Sequence, residues 1–117
     1  MDLALDCLTL TDTPPAEAIR AAGLAGYAHV SLWVQSPAAF ARMTVTAANV
    51  AECARALAES GVACHCAEVF DLVSRENIAA ARPALDLVAR LGAKTALAIH
   101  YRNPDRAEVA GLLAEFA

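Results

Sequence analysis

Three glycines set the grammar of this chain. Gly26, Gly61 and Gly92 lie 35 and 31 residues apart, and each stands between a helical pattern and a short apolar run. Glycine takes the left-handed backbone just past a helix C-terminus without the clash a side chain would suffer. The runs that follow are β-prone: Tyr27 to Val34, Val62 to Val69 and Lys94 to Ile99, with Leu3 to Leu8 as a first strand. Strands alternating with helices at this period read as consecutive βα units on a parallel sheet. The expected order is 1-2-3-4, with each helix returning over the same face, because right-handed crossovers between neighbours leave little else. At 117 residues, 58% of them apolar, the chain is expected to form one domain with a real core.

The helices carry their own punctuation. Thr13 before Pro14 reads as a cap followed by proline in the first turn, opening a helix to about Leu24 with Ile19 and Ala22 inward. Thr44 or Thr46 is expected to cap a second helix ending near Ser60, with Val50, Ala54, Leu57 and Ala58 as its apolar stripe. Ser74 caps a third, striped by Ile78, Ala81, Leu85, Val88 and Ala89. Pro83 falls inside it, and an interior proline costs about 3 kcal/mol unless the helix bends or restarts, so a bend is expected between Ala79 and Pro83. Asn103-Pro104 repeats the cap-proline signature before a fourth stripe of Val109, Leu112, Leu113 and Phe116.

Side-chain alternation within the strands narrows the architecture. In the second strand Val30, Leu32 and Val34 share one face, opposite His29, Ser31, Trp33 and Gln35. In the fourth, Leu97 and Ile99 are expected opposite Ala96, Ala98 and His100. A doubly wound sheet needs aliphatic residues on both faces. Aliphatics on one face, with small and polar residues on the other, fit a barrel wall, whose chemistry sits at the C-terminal ends of the strands. On that reading Asp6, Trp33, Glu68 and His100 gather at one rim.

The segments LALDCLTLTDTPPAEAIRAAGLAGYAHVSLW, ARALAESGVACHCAEVF and ALDLVARLGAKTALAI resemble successive βα units of the sugar phosphate isomerase/epimerase family, the xylose isomerase-like TIM barrels. The resemblance spans essentially the whole chain through strand and helix grammar, without an invariant catalytic string. It implies half of a (β/α)8 barrel, a (βα)4 parallel sheet. It also implies a divalent metal in a full-length barrel, held by acids and a histidine on strands five to eight. Those strands are absent here, so no metal ligand carries over and no metal is expected on this chain alone. What matches is the substrate side. Asp6 stands where the family often has a polar residue on the first strand, and Trp33 ends the second strand as a GLW-like sequence does. His100 resembles in position a metal histidine of the nuclease members, but Glu68 replaces their third-strand histidine.

Each candidate has a plainer alternative. Glu68 is a general base or substrate ligand, or a solvated strand-end acid. His100 titrates near neutrality and serves in catalysis, or anchors a loop. Asp6, inside a strand, must be paired or exposed. Trp33 stacks on a sugar or fills the rim. Cys64-His65-Cys66 invites a zinc reading, yet strict alternation puts His65 opposite two cysteines sharing a face, and structural zinc wants four ligands at loop-like spacings. The three function classes are the N-terminal half of a sugar or sugar phosphate isomerase/epimerase-like barrel, a non-catalytic half-barrel binding a small ligand or partner, and an apurinic-site endonuclease-like protein.

Composition weighs against other classes. A net charge of −4 lacks the basic footprint of a nucleic-acid binder. No apolar run approaches the roughly 20 residues that span a bilayer, and no secretory signal opens the chain. The four cysteines show no disulfide framework, which places the chain in a reducing cytoplasm. The outer strands of a half-barrel leave open edges, so self-association or pairing with a missing C-terminal half is expected.

Overall fold

The structure, a computed structural model, describes residues 2–100 and 105–117. Four parallel strands, β1 (Ala4–Leu5), β2 (His29–Trp33), β3 (Ala63–Asp71) and β4 (Thr95–Ile99), pair in the order β1-β2-β3-β4. They alternate with α1 (Pro15–Leu24), α2 (Val50–Ser60), α3 (Arg75–Leu91) and α4 (Arg106–Phe116). Short 3-10 turns cover Cys7–Thr9 and Ala38–Met43. The strand order and the βα alternation are those expected from the sequence. No helix among the described residues is long and apolar enough to cross a membrane.

One core joins sheet and helices. Ile19 and Ala22 of α1, Val50, Cys53 and Ala56 of α2, and Ala81, Ala84 and Leu91 of α3 pack on Val30, Leu32, Cys64, Ala67, Phe70 and Leu72. Phe116 of α4 adds a ring contact to Phe70, with centroids 5.1 Å apart. Gly61 and Gly92 close α2 and α3 in the left-handed conformation, at φ 68° and 67°. Ser74 caps α3 by accepting the Asn77 amide at 3.3 Å, as its position in the sequence predicts.

Several local expectations need correction. β1 is two residues long, because Asp6 leaves the strand to cap the 3-10 turn. The position before α1 is Pro14, without a side-chain cap bond; proline's fixed φ suffices to start the helix. The α2 cap position is Asn49, while the Thr44 hydroxyl bonds the Phe40 carbonyl and the Ser36 hydroxyl. The α2 stripe is Val50, Cys53, Ala56 and Leu57; Ala58 is exposed. In α3 the buried residues are Ala81, Ala84, Leu87 and Leu91, and Ala89 is exposed. That helix neither ends nor restarts at Pro83. Pro83 and Ala79 both lie on its wet side, where water can satisfy the carbonyl that loses its donor. Asp105 caps α4, accepting the Ala107 and Glu108 amides at 2.9 and 3.1 Å; Asn103-Pro104 lies outside the described residues.

α1 and α2 approach closely at Gly23. A Cβ there would lie 2.7 Å from the Cβ of Ser60. Alanine would gain about 1 kcal/mol of helix propensity, but overpacking typically costs 1–3 kcal/mol. Gly23→Ala is therefore expected to lower stability by about 1 kcal/mol net, read as a lower urea midpoint.

Candidate functional site

The phase of β3 decides which side chains reach the open face. Val62 and Cys64 point to the helices, and strict alternation would send Cys66, Glu68 and Phe70 after them. The register forbids this. Val30 pairs with Cys64 but Ser31 pairs with Cys66, so β3 carries one extra residue there, a β-bulge. Past it, Cys66 and Glu68 share a face with Ser31 and Trp33. Ala67 then pairs with Ala96 and Phe70 with Ala98, a second extra residue that returns Phe70 and Leu72 to the core. The same-face expectation for Cys64 and Cys66 is thus overturned. The expectation for β4 is inverted as well. Ala98 packs against the helix-covered core beside Phe70, whereas Leu97 stands 42% exposed.

Asp6 and Glu68 come together at the rim. Where β1 ends, Asp6 Oδ1 accepts the Leu8 amide at 2.8 Å, which folds Cys7 back toward the sheet. The Ser31 hydroxyl accepts the Cys7 amide at 3.1 Å and donates to Asp6 Oδ2 at 3.4 Å. Ligating atoms of Asp6, Cys7 and Glu68 then lie within 4.8 Å of one another. Glu68 is only 8% exposed, yet among the described residues its carboxylate accepts no hydrogen bond and joins no ion pair. Its backbone carbonyl instead accepts the Val34 and Gln35 amides at 2.6 and 3.2 Å.

The other two candidates sit differently. Trp33 pairs in register with Glu68, but its indole is 7% exposed and Phe40 covers it edge-on, with centroids 5.0 Å apart. It lines the rim from within. His100 Nδ1 lies 2.8 Å from the Leu72 carbonyl. A carbonyl only accepts, so Nδ1 carries the proton and the ring is oriented from the end of β3. His100 is not among the atoms that gather around Asp6.

Cys7 and Ser31 were not singled out in the sequence. The signal for Cys7 was Asp6 itself, a strong capping residue that turns the chain out of the strand. Ser31 lies on the face predicted to be open, without a charge to draw notice.

Burial pushes the Cys7 thiol up to about 12; the Ser31 hydrogen bond opposes this, and the charges of Glu68 and Asp6 add to it. Burial likewise raises Cys64 to about 12 and Cys53 to about 11. Each folded value lies above the ordinary 9.0, so the unfolded chain loses its thiol protons first. Stability is expected to hold below about pH 9 and to fall as pH rises toward about 12. Urea midpoints at about pH 8 and pH 10.5 test this; an unchanged midpoint contradicts it.

No family model matches this chain, and no curated protein matches it. Eight solved chains do. A fusion protein of a xylose isomerase-like TIM barrel with a 4-hydroxyphenylpyruvate dioxygenase is similar at a TM-score of 0.64 and 19% identity, over 87% of this chain and 17% of that one. A Sinorhizobium meliloti protein is similar at a TM-score of 0.68 and 17% identity, over 97% of this chain and 43% of that one. The chain therefore spans less than half the length of either neighbour. Identities this low carry the fold alone: a parallel α/β sheet similar to part of a TIM barrel.

Proposed function

We propose that this chain is the N-terminal half of a sugar or sugar phosphate isomerase/epimerase-like barrel and supplies its substrate-side contacts. One observation carries the reading. Asp6 just past β1, Ser31 in the middle of β2 and Glu68 in the second half of β3 converge on the face away from the helices, and barrels of this kind do chemistry toward the C-terminal ends of their strands. Glu68 is the group to take a proton next to a sugar carbonyl, being buried and without a protein partner. Asp6 accepts hydrogen bonds from sugar hydroxyls. His100, oriented through Nδ1 by the Leu72 carbonyl, stands just past the end of β4 as the second candidate for proton transfer. Trp33 shapes the wall behind Glu68.

The metal expected of a complete barrel uses acids and a histidine on strands that have no counterpart in β1–β4. No step is assigned through it. It would polarise the sugar oxygens in the completed protein. The rest of the barrel would pair with the open edges of β1 and β4, and without it the chain is expected to self-associate there.

Turnover and mass, measured together, test the reading. The purified chain with added divalent metal should convert no ketose above a metal-only control, and should sediment at micromolar concentration as more than a monomer. Joined to four further βα units of a xylose isomerase-like barrel, it should epimerise or isomerise a sugar. Turnover by the chain alone, or a stable inert monomer that no second half activates, would count against it. The second outcome favours a non-catalytic ligand-binding module.

A further inference from the structure

We infer that the loop from Ser36 to Thr44 is a lid over the rim, opened when Phe40 lifts from Trp33; this rests on the rim being the sugar site proposed above. In the structure that site is shut. Glu68 and Trp33 are only 8% and 7% exposed. The cavity beside Asp6, Cys7 and Ser31 measures about 20 Å3, room for one water, whereas small-ligand sites run roughly 300–1,000 Å3. Met43, near the far end of the loop, forms part of that cavity's wall. A sugar reaches Glu68 only when part of this cover moves aside.

Trp33 shows which part moves. Its indole N–H is buried and has no acceptor among the described residues. Buried donors are nearly always paired, and an orphan calls for a cause. Trp33 stands beside Glu68 in register, and the Phe40 ring meets it edge-on with centroids 5.0 Å apart. A phenyl ring keeps water from the N–H and supplies no oxygen or nitrogen to bond it. Lifting the ring gives that donor to water, or to an oxygen of a ligand entering beside Glu68.

The loop is fastened at its feet and loose between them. The Ser36 hydroxyl donates to Thr44 Oγ1, whose own proton goes to the Phe40 carbonyl. The Gln35 amide donates to the Glu68 carbonyl at 3.2 Å, and the Val45 amide to the Trp33 carbonyl at 2.7 Å. Met43 and Val45 are buried. Among the described residues, every hydrogen bond of residues 37–42 stays within the loop. Pro37 to Ala39, Ala41 and Arg42 are exposed, and the 3-10 turn breaks at Phe40, at φ −111° and ψ 17°. A compact surface loop with close ends is of the Ω type, often functional. Here the Phe40 ring is what holds the span to the sheet.

Trp33 is the chain's one tryptophan, so its indole N–H gives a single nuclear magnetic resonance signal in the isotope-labelled full chain. Hydrogen exchange reads the opening. The indole signal should exchange faster than the amides of Leu32 and Ala67 in the core, at a rate set by the loop and not by global unfolding. Phe40→Ala should speed it roughly tenfold or more and leave those core amides unchanged. Phe40→Leu, which keeps an apolar cover, should fall between, and far-UV circular dichroism checks that each variant folds. An indole N–H that exchanges only together with the core, or at a rate indifferent to Phe40, would overturn the lid. Added D-fructose or its phosphate ester separates the lid from the sugar reading. A shift of the indole signal that Glu68→Gln removes supports both. A Phe40-dependent rate with no response to either sugar keeps the lid and counts against the sugar.

Discussion

Replacing Phe70 by alanine is expected to lower stability by about 3–5 kcal/mol, the range for deleting a buried aromatic ring. Phe70 is fully buried in β3. It stands beside Ala98 in the sheet and meets the Phe116 ring from α4. Those neighbours are too small or too constrained to collapse into the gap, so the cavity term adds to the lost transfer energy. A domain of this size has about 5–15 kcal/mol in all, and the variant should sit near the edge of folding. Its urea midpoint should drop with the slope preserved; a change in slope would mean that β4 and α4 had detached instead.

Glu68→Gln carries the largest expected effect on activity. In a completed barrel, loss of the group that moves the proton should cut kcat/KM by about 10²–10⁴. Stability should hardly move. Glutamine keeps the shape, breaks no hydrogen bond made within the described residues, and removes a buried charge that has no protein counter-charge. A variant that fails to fold would mark Glu68 as structural. A folded variant with full turnover would take Glu68 out of the reaction.

Much of the fold was legible because it is written in residues with strong local preferences. Gly61 and Gly92 announce left-handed helix ends, Ser74 announces a cap, and the Val/Leu runs of β2 announce a covered strand face. The rim was legible in part. Asp6 and Glu68 do meet, whereas His100 turns to a backbone carbonyl and Trp33 lies under Phe40. Strict alternation was the assumption that failed. Nothing from Val62 to Phe70 is a glycine or proline, so the extra residues in β3 leave no mark in composition. They are settled by pairing with β2 and β4, which depends on residues more than 25 positions away. The facing of β4 followed the same long-range choice. Pro83 misled for a different reason: a carbonyl that faces water loses little when its donor is removed.

The two extra residues of β3 have opposite effects on phase and cancel. Only a short window, from Cys66 to Glu68, runs out of step with the strand on either side. Side chains in that window can be exchanged for others of different chemistry without disturbing Cys64 before it or Phe70 after it. Deleting His65 would make Cys64 and Cys66 neighbours, as their partners Val30 and Ser31 are, and would leave Glu68 on the open face. Removing the extra residue at each irregularity would give plain alternation from Cys64 to Phe70 with every remaining side chain on its present face. The strand thus separates a segment that sets chemistry from flanks that set stability, and an engineer altering one need not retune the other so long as the pairing with β2 and β4 is kept.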